Sequence, residues 1–274
     1  MKDLTDAEFA QISGFIRTNY GIDLGLEKKA LIYSRLRATL VEKGFGSFSE
    51  YFGYLINNRT GEAVAEFIDK VTTNHTYFMR EADHFDFLRD TVLPELEASN
   101  KAQGDVRLWC AGCSSGEEPY TLQMVMADYF AGKPGKWDTT ILATDISTQM
   151  LEKAAAGVYP NDALRALPEN WEKEYFEPFD AGRSIINPSI RNAILFRKLN
   201  LMDRVFPFRS RLHVIFCRNV MIYFDMATKN ELVKKFRDWL LPGGYLFVGH
   251  SEPLSRAETG LKYVAPAVYQ KIEN

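Results

Sequence analysis

Hydrophobic residues recur at helical spacing along the first 80 residues of the chain. Phe9, Ile12 and Ile16 lie three to four residues apart, which places them on one face of a helix. A second helix shows the same pattern at Leu31, Ile32, Leu36 and Leu40. Capping-box patterns that begin at Thr5 and Ser47 mark two helix starts. A third helix after Ser47 and a fourth over residues 62–71 complete an all-helical part without strands.

Beyond a further helical stretch over residues 82–97, the pattern changes to strands that alternate with helices. Strands are predicted at 106–110, 140–144, 212–216 and 245–248. Helices are predicted at 117–130, 148–156 and 226–241. Such alternation indicates a mostly parallel sheet with helices on both faces. Two short strands within residues 262–272 predict an antiparallel pair at the sheet edge.

The chain is therefore divided into an all-α domain over residues 1–72, a linker and connecting helix over 73–100, and an α/β domain over 101–274. Within the α/β domain the region between 159 and 196 is irregular. Apolar residues at 185–186 and 194–196 predict a small added hairpin there. We expect this β-subdomain at about residues 176–198.

Composition excludes several classes of protein. Of the 274 residues, 46% are hydrophobic, and the formal net charge is −3, so no basic field recruits nucleic acid. The longest stretch without charged side chains runs only over residues 239–251, whereas a spanning helix needs about 18–20 apolar residues. The first four residues contain no apolar signal region, and three cysteines fit reduced thiols. A cytoplasmic protein is the expectation.

The loop after the first predicted strand carries the strongest local signal. Residues 109–118 read Trp-Cys-Ala-Gly-Cys-Ser-Ser-Gly-Glu-Glu, which leads from a strand through small residues into a helix. A dinucleotide site requires Gly-x-Gly-x-x-Gly, but only Gly112 and Gly116 are present. Glu117 and Glu118 also place negative charge where a pyrophosphate would lie. The pattern favours a ligand with cationic or hydroxyl groups; a tight turn with acids at a helix start is the alternative.

Asp145 follows the next strand. An acidic residue at this position accepts both ribose hydroxyls in nucleoside-binding α/β folds. A helix cap shared with Ser147 is the alternative interpretation. The two signals together predict an adenosine-binding site that does not tolerate phosphate.

Cys110 and Cys113 have the Cys-x-x-Cys spacing of redox proteins, but they fall within the loop that the nucleoside requires. We therefore interpret them as small loop residues. The four histidines, at positions 75, 84, 213 and 250, show no metal-ligand spacing, so no metal site is expected.

Polar residues also mark two segments far apart in the chain. Residues 72–80 join the two parts and contain amide, hydroxyl and guanidinium groups, although a linker with helix caps would look similar. The segment 216–225 is a buried strand that ends in Arg218 and Asn219 and continues to Tyr223. Polar side chains at the carboxyl end of a strand contact ligands in such sheets; a cluster at a helix start is the alternative.

These segments resemble the chemotaxis receptor glutamate methyltransferases, the CheR family. Four motifs are shared and occur in order along essentially the whole chain: Asn-x-Thr-x-x-x-Arg, Ser-Gly-Glu-Glu-Pro-Tyr, Cys-Arg-Asn-Val-x-Ile-Tyr-Phe and Gly-His-Ser-Glu. The resemblance implies an all-α N-terminal domain and a Rossmann-like domain for S-adenosylmethionine with a small β-subdomain.

The resemblance also implies roles for individual residues. The residues expected to bind the cofactor are Asn74, Thr76, Arg80, Glu117, Asp145, Asn200, Leu201, Arg218 and Asn219. Among these, Asp145 would contact the ribose, and Asn200 and Leu201 the adenine. A sulfonium nucleoside is cationic, which explains why acidic residues follow the glycine loop.

The implied reaction transfers a methyl group to a receptor glutamate and leaves S-adenosylhomocysteine. Because a glutamate is already ionised near neutral pH, no general base is required. The site must instead hold the carboxylate in line and partly desolvate it. We expect Arg80 to orient the carboxylate and Tyr223 to donate a hydrogen bond near the methyl group.

The substrate would be the acidic methylation helices of chemoreceptors, so a basic docking face is expected. Lys28, Lys29, Arg35 and Arg37 form a basic cluster on the second helix, although a solvated helix face is the alternative.

Family members that bind a C-terminal receptor pentapeptide have a longer and more glycine-rich turn in the β-subdomain. Here residues 179–184 are short and contain only Gly182, so no pentapeptide tethering is expected.

Three alternatives to this assignment remain open from the sequence. One is an adaptor that binds S-adenosylmethionine and receptors without catalysis, and another is a methyltransferase of small molecules. The third, a nicotinamide-dependent dehydrogenase, is disfavoured by the incomplete glycine pattern.

Overall fold

The N-terminal part is entirely helical, as predicted. The computed structural model describes residues 3–58, 61–100, 102–255 and 259–272. The first four helices are α1 (Asp6–Tyr20), α2 (Lys29–Glu42), α3 (Phe48–Asn57) and α4 (Glu62–Val71). Their apolar faces, including Phe9, Ile16, Leu36 and Phe67, form one fully buried core.

Both predicted helix starts are confirmed as caps. Thr5 accepts the amide of Glu8 and the Glu8 carboxylate accepts the amide of Thr5, which is a complete capping box. Ser47 also accepts the amide of Glu50, but the Glu50 carboxylate bonds to the amide of Gly46 instead of closing the box on Ser47.

The connecting helix is interrupted. It comprises α5 (Asp83–Phe87), one π-helical turn (Leu88–Val92) and α6 (Leu93–Ser99). Pro94 directly follows the π-helical turn and has no amide to donate, which interrupts the regular hydrogen-bond pattern of the helix at this point. The buried side chains of this segment pack against the large sheet.

In the part of the chain that the structure describes, the remaining elements are a large sheet, a small sheet, five α-helices and short 3-10 helices. The strands are β1 (Leu108–Ala111), β2 (Ile141–Asp145), β3 (Val158–Pro160), β4 (Phe176–Asp180), β5 (Arg183–Ile186), β6 (Ile194–Lys198), β7 (Leu212–Cys217), β8 (Leu240–Val248), β9 (Leu261–Ala265) and β10 (Val268–Lys271). The helices are α7 (Glu117–Phe130), α8 (Thr148–Ala156), α9 (Glu169–Tyr175), α10 (Pro188–Arg191) and α11 (Met226–Trp239).

The large sheet has the order β6-β2-β1-β7-β8-β10-β9. The first five strands are parallel, and β10 pairs antiparallel with both β8 and β9, which confirms the predicted C-terminal strand pair. Successive residues of β1 enter different cores: Leu108 and Cys110 pack with α7, whereas Trp109 and Ala111 pack with α11. The sheet is therefore covered on both faces, as expected for a Rossmann-like fold.

The small sheet differs from the predicted hairpin. It has the order β3-β5-β4 and is antiparallel. The prediction that residues 194–196 belong to it is wrong, because β6 pairs parallel with β2 and forms the edge of the large sheet. A short apolar run is compatible with a strand in either sheet. The pairing of Ile194 with Ile141 of β2 places this strand in the large sheet.

No helix in the described ranges combines the length and the apolar character that crossing a membrane requires.

Candidate functional site

A cavity opens beyond the carboxyl ends of β1, β2 and β7. The loops after these strands form one wall, and the linker at residues 71–76 forms another. The third wall comes from the helical part, between Tyr20 and Ile32. The cavity therefore lies between the two parts of the chain, at the position where open parallel sheets bind ligands.

The structure brings most of the predicted site residues together around this cavity. Those in its lining are Asn74, Thr76, Arg80, Asp145, Asn200, Leu201, Arg218, Asn219 and Tyr223. Glu117 is not among the residues that line it; its carboxylate accepts the hydroxyl of Ser115 at 2.8 Å. The next residue, Glu118, lines the cavity instead. Consecutive residues of a helix point about 100° apart, so only one of the two glutamates faces the cavity. The sequence alone does not show which one.

The glycine loop is shaped by backbone that only small residues allow. Gly112 has a φ of 82°, and a Cβ there would lie 2.4 Å from the side chain of Val220. This close approach brings the loops after β1 and β7 together at the cavity. Ser114 follows in the left-handed region with a φ of 49°, and its amide donates to the carboxylate of Asp145 at 2.8 Å.

Asp145 is buried at the end of β2. Its second carboxylate oxygen accepts the amide of Ser147 at 2.9 Å. The cap of α8 is Ser147 itself, whose hydroxyl accepts the amide of Met150. Asp145 is therefore not the cap; its carboxylate accepts the amides of Ser114, Ser147 and Ile146 and still has acceptor capacity for a ligand. Burial raises the pKa of Asp145, while the amides of Ser147 and Ser114 oppose that rise.

A fully buried guanidinium ties the linker to the sheet. Arg218, at the end of β7, bonds to Glu81 of the linker at 3.1 Å and to Glu118 of α7 at 3.0 Å. It also donates to the carbonyl oxygen of Arg80. Burial raises the pKa of Glu118, although the positive charge of Arg218 opposes the rise. Burial also acts to raise the pKa of Glu81, but the contacts with Arg218 outweigh it, so the pKa of Glu81 is lowered. Since two carboxylates surround Arg218, it offers little net positive charge to a phosphate.

Glu252 organises the loop after β7. Its carboxylate accepts the backbone amides of Asn219 at 2.8 Å, Gly249 at 2.7 Å and Ile222 at 2.9 Å. The side chain is almost entirely buried. The sequence showed Glu252 only as the last residue of a shared motif, so its contact with three amides was not foreseen.

Backbone strain is concentrated around the cavity. Of the five non-glycine residues with positive φ in the described chain, four are Met79, Glu81, Ser114 and Asn219. All four are in or next to the segments that form the cavity walls. Strained backbone of this kind persists where the surrounding contacts fix it, and it is frequent at functional sites.

Arg80 and Tyr223 both line the cavity and have few competing contacts. Arg80 donates to the carbonyl of His75 at 2.9 Å, and its guanidinium lies 5.8 Å from the centre of the Tyr77 ring. The Tyr223 hydroxyl lies 3.5 Å from the carbonyl oxygen of Thr73, which is the limit of a hydrogen bond. Both polar groups can therefore turn towards a bound carboxylate.

The four residues predicted for receptor docking have different surroundings. Lys28 is exposed and lines the cavity, and Lys29 bonds to Asp6 at 2.6 Å. The guanidinium of Arg35 donates hydrogen bonds to the carbonyls of Val71 and Thr72 and to the hydroxyl of Thr73, so it is bound to the linker. Arg37 is exposed, with its guanidinium 5.9 Å from the centre of the Tyr33 ring.

The cysteines of the glycine loop are buried and reduced. Burial raises the pKa of the Cys110 and Cys113 thiols well above the usual value, and the Cys110 thiol donates to Glu118. Thiols in this state are poor nucleophiles, which disfavours redox chemistry.

The charges of the cavity fit a cationic nucleoside. Asp145 and Glu118 contribute buried carboxylates, and Arg218 is compensated by its acidic partners. The apolar side chains of Leu201 and Val220 provide surface for a base. Hydroxyl groups and a positive centre match this lining, whereas a pyrophosphate would face carboxylates at the start of α7.

Two family models cover the chain. The model "CheR methyltransferase, all-alpha domain" matches residues 7–72, and "CheR methyltransferase, SAM binding domain" matches residues 74–269. The cofactor is therefore S-adenosylmethionine, in agreement with the chemistry of the lining.

Curated relatives match over nearly their full length. The "Chemotaxis protein methyltransferase" of Borreliella burgdorferi is 42% identical, with 98% of this chain and 95% of the relative covered. The protein of the same name from Escherichia coli is 36% identical, with 97% and 91% covered. The chain therefore belongs to the CheR methyltransferase family, to which its helical part and its Rossmann-like sheet correspond.

Proposed function

We propose that this enzyme transfers the methyl group of S-adenosylmethionine to glutamate side chains of chemoreceptors, which forms γ-methyl esters and S-adenosylhomocysteine. The observation that carries the proposal is that Arg80 and Tyr223 line the same cavity as Asp145. A nucleoside-binding carboxylate and two groups suited to a substrate carboxylate thus share one space. The names of the relatives support chemoreceptors as the substrate.

The cofactor, when bound, supplies an electrophilic methyl group on a sulfonium. The carboxylate of Asp145 would accept the ribose hydroxyls, and Asn200 and Leu201 would border the base. The side-chain amide of Asn200 donates to the carbonyl oxygen of Asn19 at 2.7 Å. The position of Asn200 beside the base therefore depends on the helical part. Linker residues Asn74 and Thr76 complete the wall around the nucleoside.

The substrate glutamate, with an unperturbed pKa of about 4.3, needs no general base. Arg80 orients its carboxylate without burying it in a tight ion pair, because a strongly held anion would be a weaker nucleophile. Tyr223 donates a hydrogen bond near the reacting centre. The walls of the helical part exclude water, which raises the energy of the free anion relative to the transition state.

The docking surface follows from the charges that remain free. Lys28 and Arg37 are exposed, whereas Arg35 is committed to the linker and Lys29 to Asp6. Lys28 also borders the cavity, so an acidic receptor helix that contacts it would present its glutamates to the site. We also propose that the enzyme acts in the cytoplasm, on the cytoplasmic helices of membrane-embedded receptor arrays.

The experiment is incubation of the purified protein with methyl-labelled S-adenosylmethionine and receptor-containing membranes. Base treatment should release labelled methanol, because carboxyl methyl esters are labile to base and amine or ether methyl groups are not. Membranes whose receptor has alanine at the methylated glutamates serve as the control.

Two other outcomes would replace the proposal. Receptor binding without volatile label would indicate an adaptor. Label that remains in a small soluble product would indicate a small-molecule methyltransferase; the family and the names of the relatives do not favour either alternative.

A further inference from the structure

We propose that Glu81, His84 and His250 form a binding site for one divalent transition-metal ion of the zinc class. The three residues come from the linker, α5 and the loop after β8, and one potential ligand atom of each lies within 4.8 Å of the others. His84 and His250 are separated by 166 positions, so no ligand spacing along the chain reveals the site.

His84 has a free nitrogen that points into this cluster. Its Nε2 lies 3.2 Å from the carbonyl oxygen of Pro266, which can only accept, so Nε2 carries the proton. Nδ1 therefore holds a lone pair. The His84 side chain is 1% exposed, and Nδ1 has no hydrogen-bond partner within the described part of the chain. A buried acceptor without a donor is costly unless a cation satisfies it.

The distance between the first two ligands fits a metal. Nδ1 of His84 lies 3.5 Å from Oε2 of Glu81, which is too long for a good hydrogen bond. Ligands about 2.0–2.1 Å from a tetrahedral zinc ion are about 3.4 Å apart. Two acceptors that face each other at this separation are placed as adjacent ligands around an ion.

The histidines also have the outer contacts that metal ligands show. His84 is oriented by the Pro266 carbonyl, and Nε2 of His250 lies 3.1 Å from the carboxylate of Asp83. Ligating histidines usually donate their second nitrogen to a carbonyl or carboxylate in this way. The His250 side chain is 44% exposed, so it can move to close the site and ions can enter past it.

The local charge admits a divalent cation. The carboxylates of Glu81 and Glu118 contact the guanidinium of Arg218, and a third carboxylate, that of Asp83, lies 3.1 Å from Nε2 of His250. Oε2 of Glu81, the oxygen that faces Nδ1 of His84, also accepts two contacts from Arg218, one of which a bound ion would replace, whereas Oε1 accepts one contact from Asn219. Two imidazoles and one carboxylate favour Zn²⁺ or Co²⁺ over Mg²⁺ and Ca²⁺, which prefer oxygen ligands.

Titration of the full chain with Co²⁺ tests the site, because tetrahedral Co²⁺ has intense visible absorption. We expect saturation at one ion per chain and displacement by Zn²⁺. His250→Ala should weaken Co²⁺ binding about tenfold or more, because it removes a partly exposed ligand while the buried His84 stays in place. His75→Ala, which removes another exposed histidine, should leave the Co²⁺ titration unchanged.

Unfolding midpoints without metal should be similar for the two variants and the unaltered chain. In a second measurement, the imidazole signals of His84 and His250 should broaden or shift with paramagnetic Co²⁺, and those of His213 much less. Absence of saturable Co²⁺ binding, or equal binding by His250→Ala and the unaltered chain, would overturn the site. Either result would mean that Glu81, His84 and His250 do not hold a metal ion, and neither result bears on methyl transfer to receptors.

Discussion

The backbone amide of Asp23 donates a 2.7 Å hydrogen bond to the carbonyl oxygen of Tyr223. Beside it, Ile22 and Phe224 form an antiparallel bridge, and Arg17 bonds to Asp225 at 2.6 Å. The N-terminal helical part is thus attached to the short segment that carries Tyr223. The position of this tyrosine in the cavity depends on both parts of the chain.

Tyr223→Phe should lower kcat by about 100-fold with little change in affinity for S-adenosylhomocysteine. The backbone that holds the ring is unaffected, and the hydroxyl has only the 3.5 Å contact with Thr73 to lose. Methyl-transfer kinetics and titration calorimetry measure the two quantities. Tyr263→Phe is the matched control, since Tyr263 is exposed on β9, and its kcat should be that of the unaltered enzyme. Unchanged kcat with weakened cofactor binding in Tyr223→Phe would reject the catalytic role.

Glu252→Gln should destabilise the protein by about 1–3 kcal/mol, because a side-chain NH₂ group would then face backbone amides. Two of the three amides, those of Asn219 and Ile222, belong to the segment that carries Tyr223, so kcat should fall more than cofactor affinity. Denaturant unfolding and steady-state kinetics test this. Glu231→Gln, an exposed change on α11, should stay within about 0.5 kcal/mol. A Glu252→Gln enzyme with ordinary stability and kcat would show that these contacts do not position the site.

Asp145→Asn should weaken the affinity for S-adenosylhomocysteine about 100-fold, because it removes a charged acceptor of two hydroxyl groups. Burial raises the pKa of Asp145. Since the ligand binds the ionised form, affinity in the unaltered protein should fall as the pH decreases through that raised pKa, above the usual value of about 3.9. This part of the pH dependence should disappear in Asp145→Asn, whereas the exposed Asp162→Asn should retain it. The same pH profile in both variants would exclude Asp145 as the titrating group.

The fold could be predicted because its signals are local. The spacing of Phe9, Ile12 and Ile16, the caps at Thr5 and Ser47, and the alternation of strands with helices each depend on neighbouring residues. The structure confirms all of these features. The prediction that residues 194–196 belong to the small hairpin is wrong because their partner strand, β2, lies about 50 residues earlier and pairing register is a long-range property.

The cavity residues could be anticipated only from shared motifs, and the contacts among them could not. The sequence does not indicate that Arg218 forms ion pairs with both Glu81 and Glu118, or that Arg35 donates hydrogen bonds to the linker. These pairs join residues 36 to 137 positions apart, and charged side chains of this kind are ordinarily assigned to the surface. Arg35 was therefore placed in the docking group although it is half-buried against residues 71–73.

Arg37→Glu should raise KM for receptor about fivefold and leave cofactor affinity unchanged, because Arg37 is exposed, with its guanidinium 5.9 Å from the centre of the Tyr33 ring. Arg35→Glu should instead lower both stability and cofactor affinity, since it removes three hydrogen bonds that hold the cavity wall at residues 71–73. Kinetics at low and high salt separate these effects, because salt screens only the exposed charge. An unchanged KM in Arg37→Glu would exclude this surface from docking.

The small sheet should not bind the C-terminal receptor pentapeptide that other family members use. Peptide strands add to sheet edges through main-chain hydrogen bonds, and both edge strands here contain proline: Pro160 in β3 and Pro178 in β4. The β4–β5 turn has only two residues and is closed by the Asp180–Arg183 ion pair, so it offers no longer loop for a peptide. Titration calorimetry should detect no more heat of binding for the pentapeptide than for a scrambled control peptide, up to a peptide concentration of about 1 mM. This result corresponds to a binding free energy weaker than about −4 kcal/mol. Micromolar binding of the pentapeptide alone would mean that the edge accepts a strand despite its prolines.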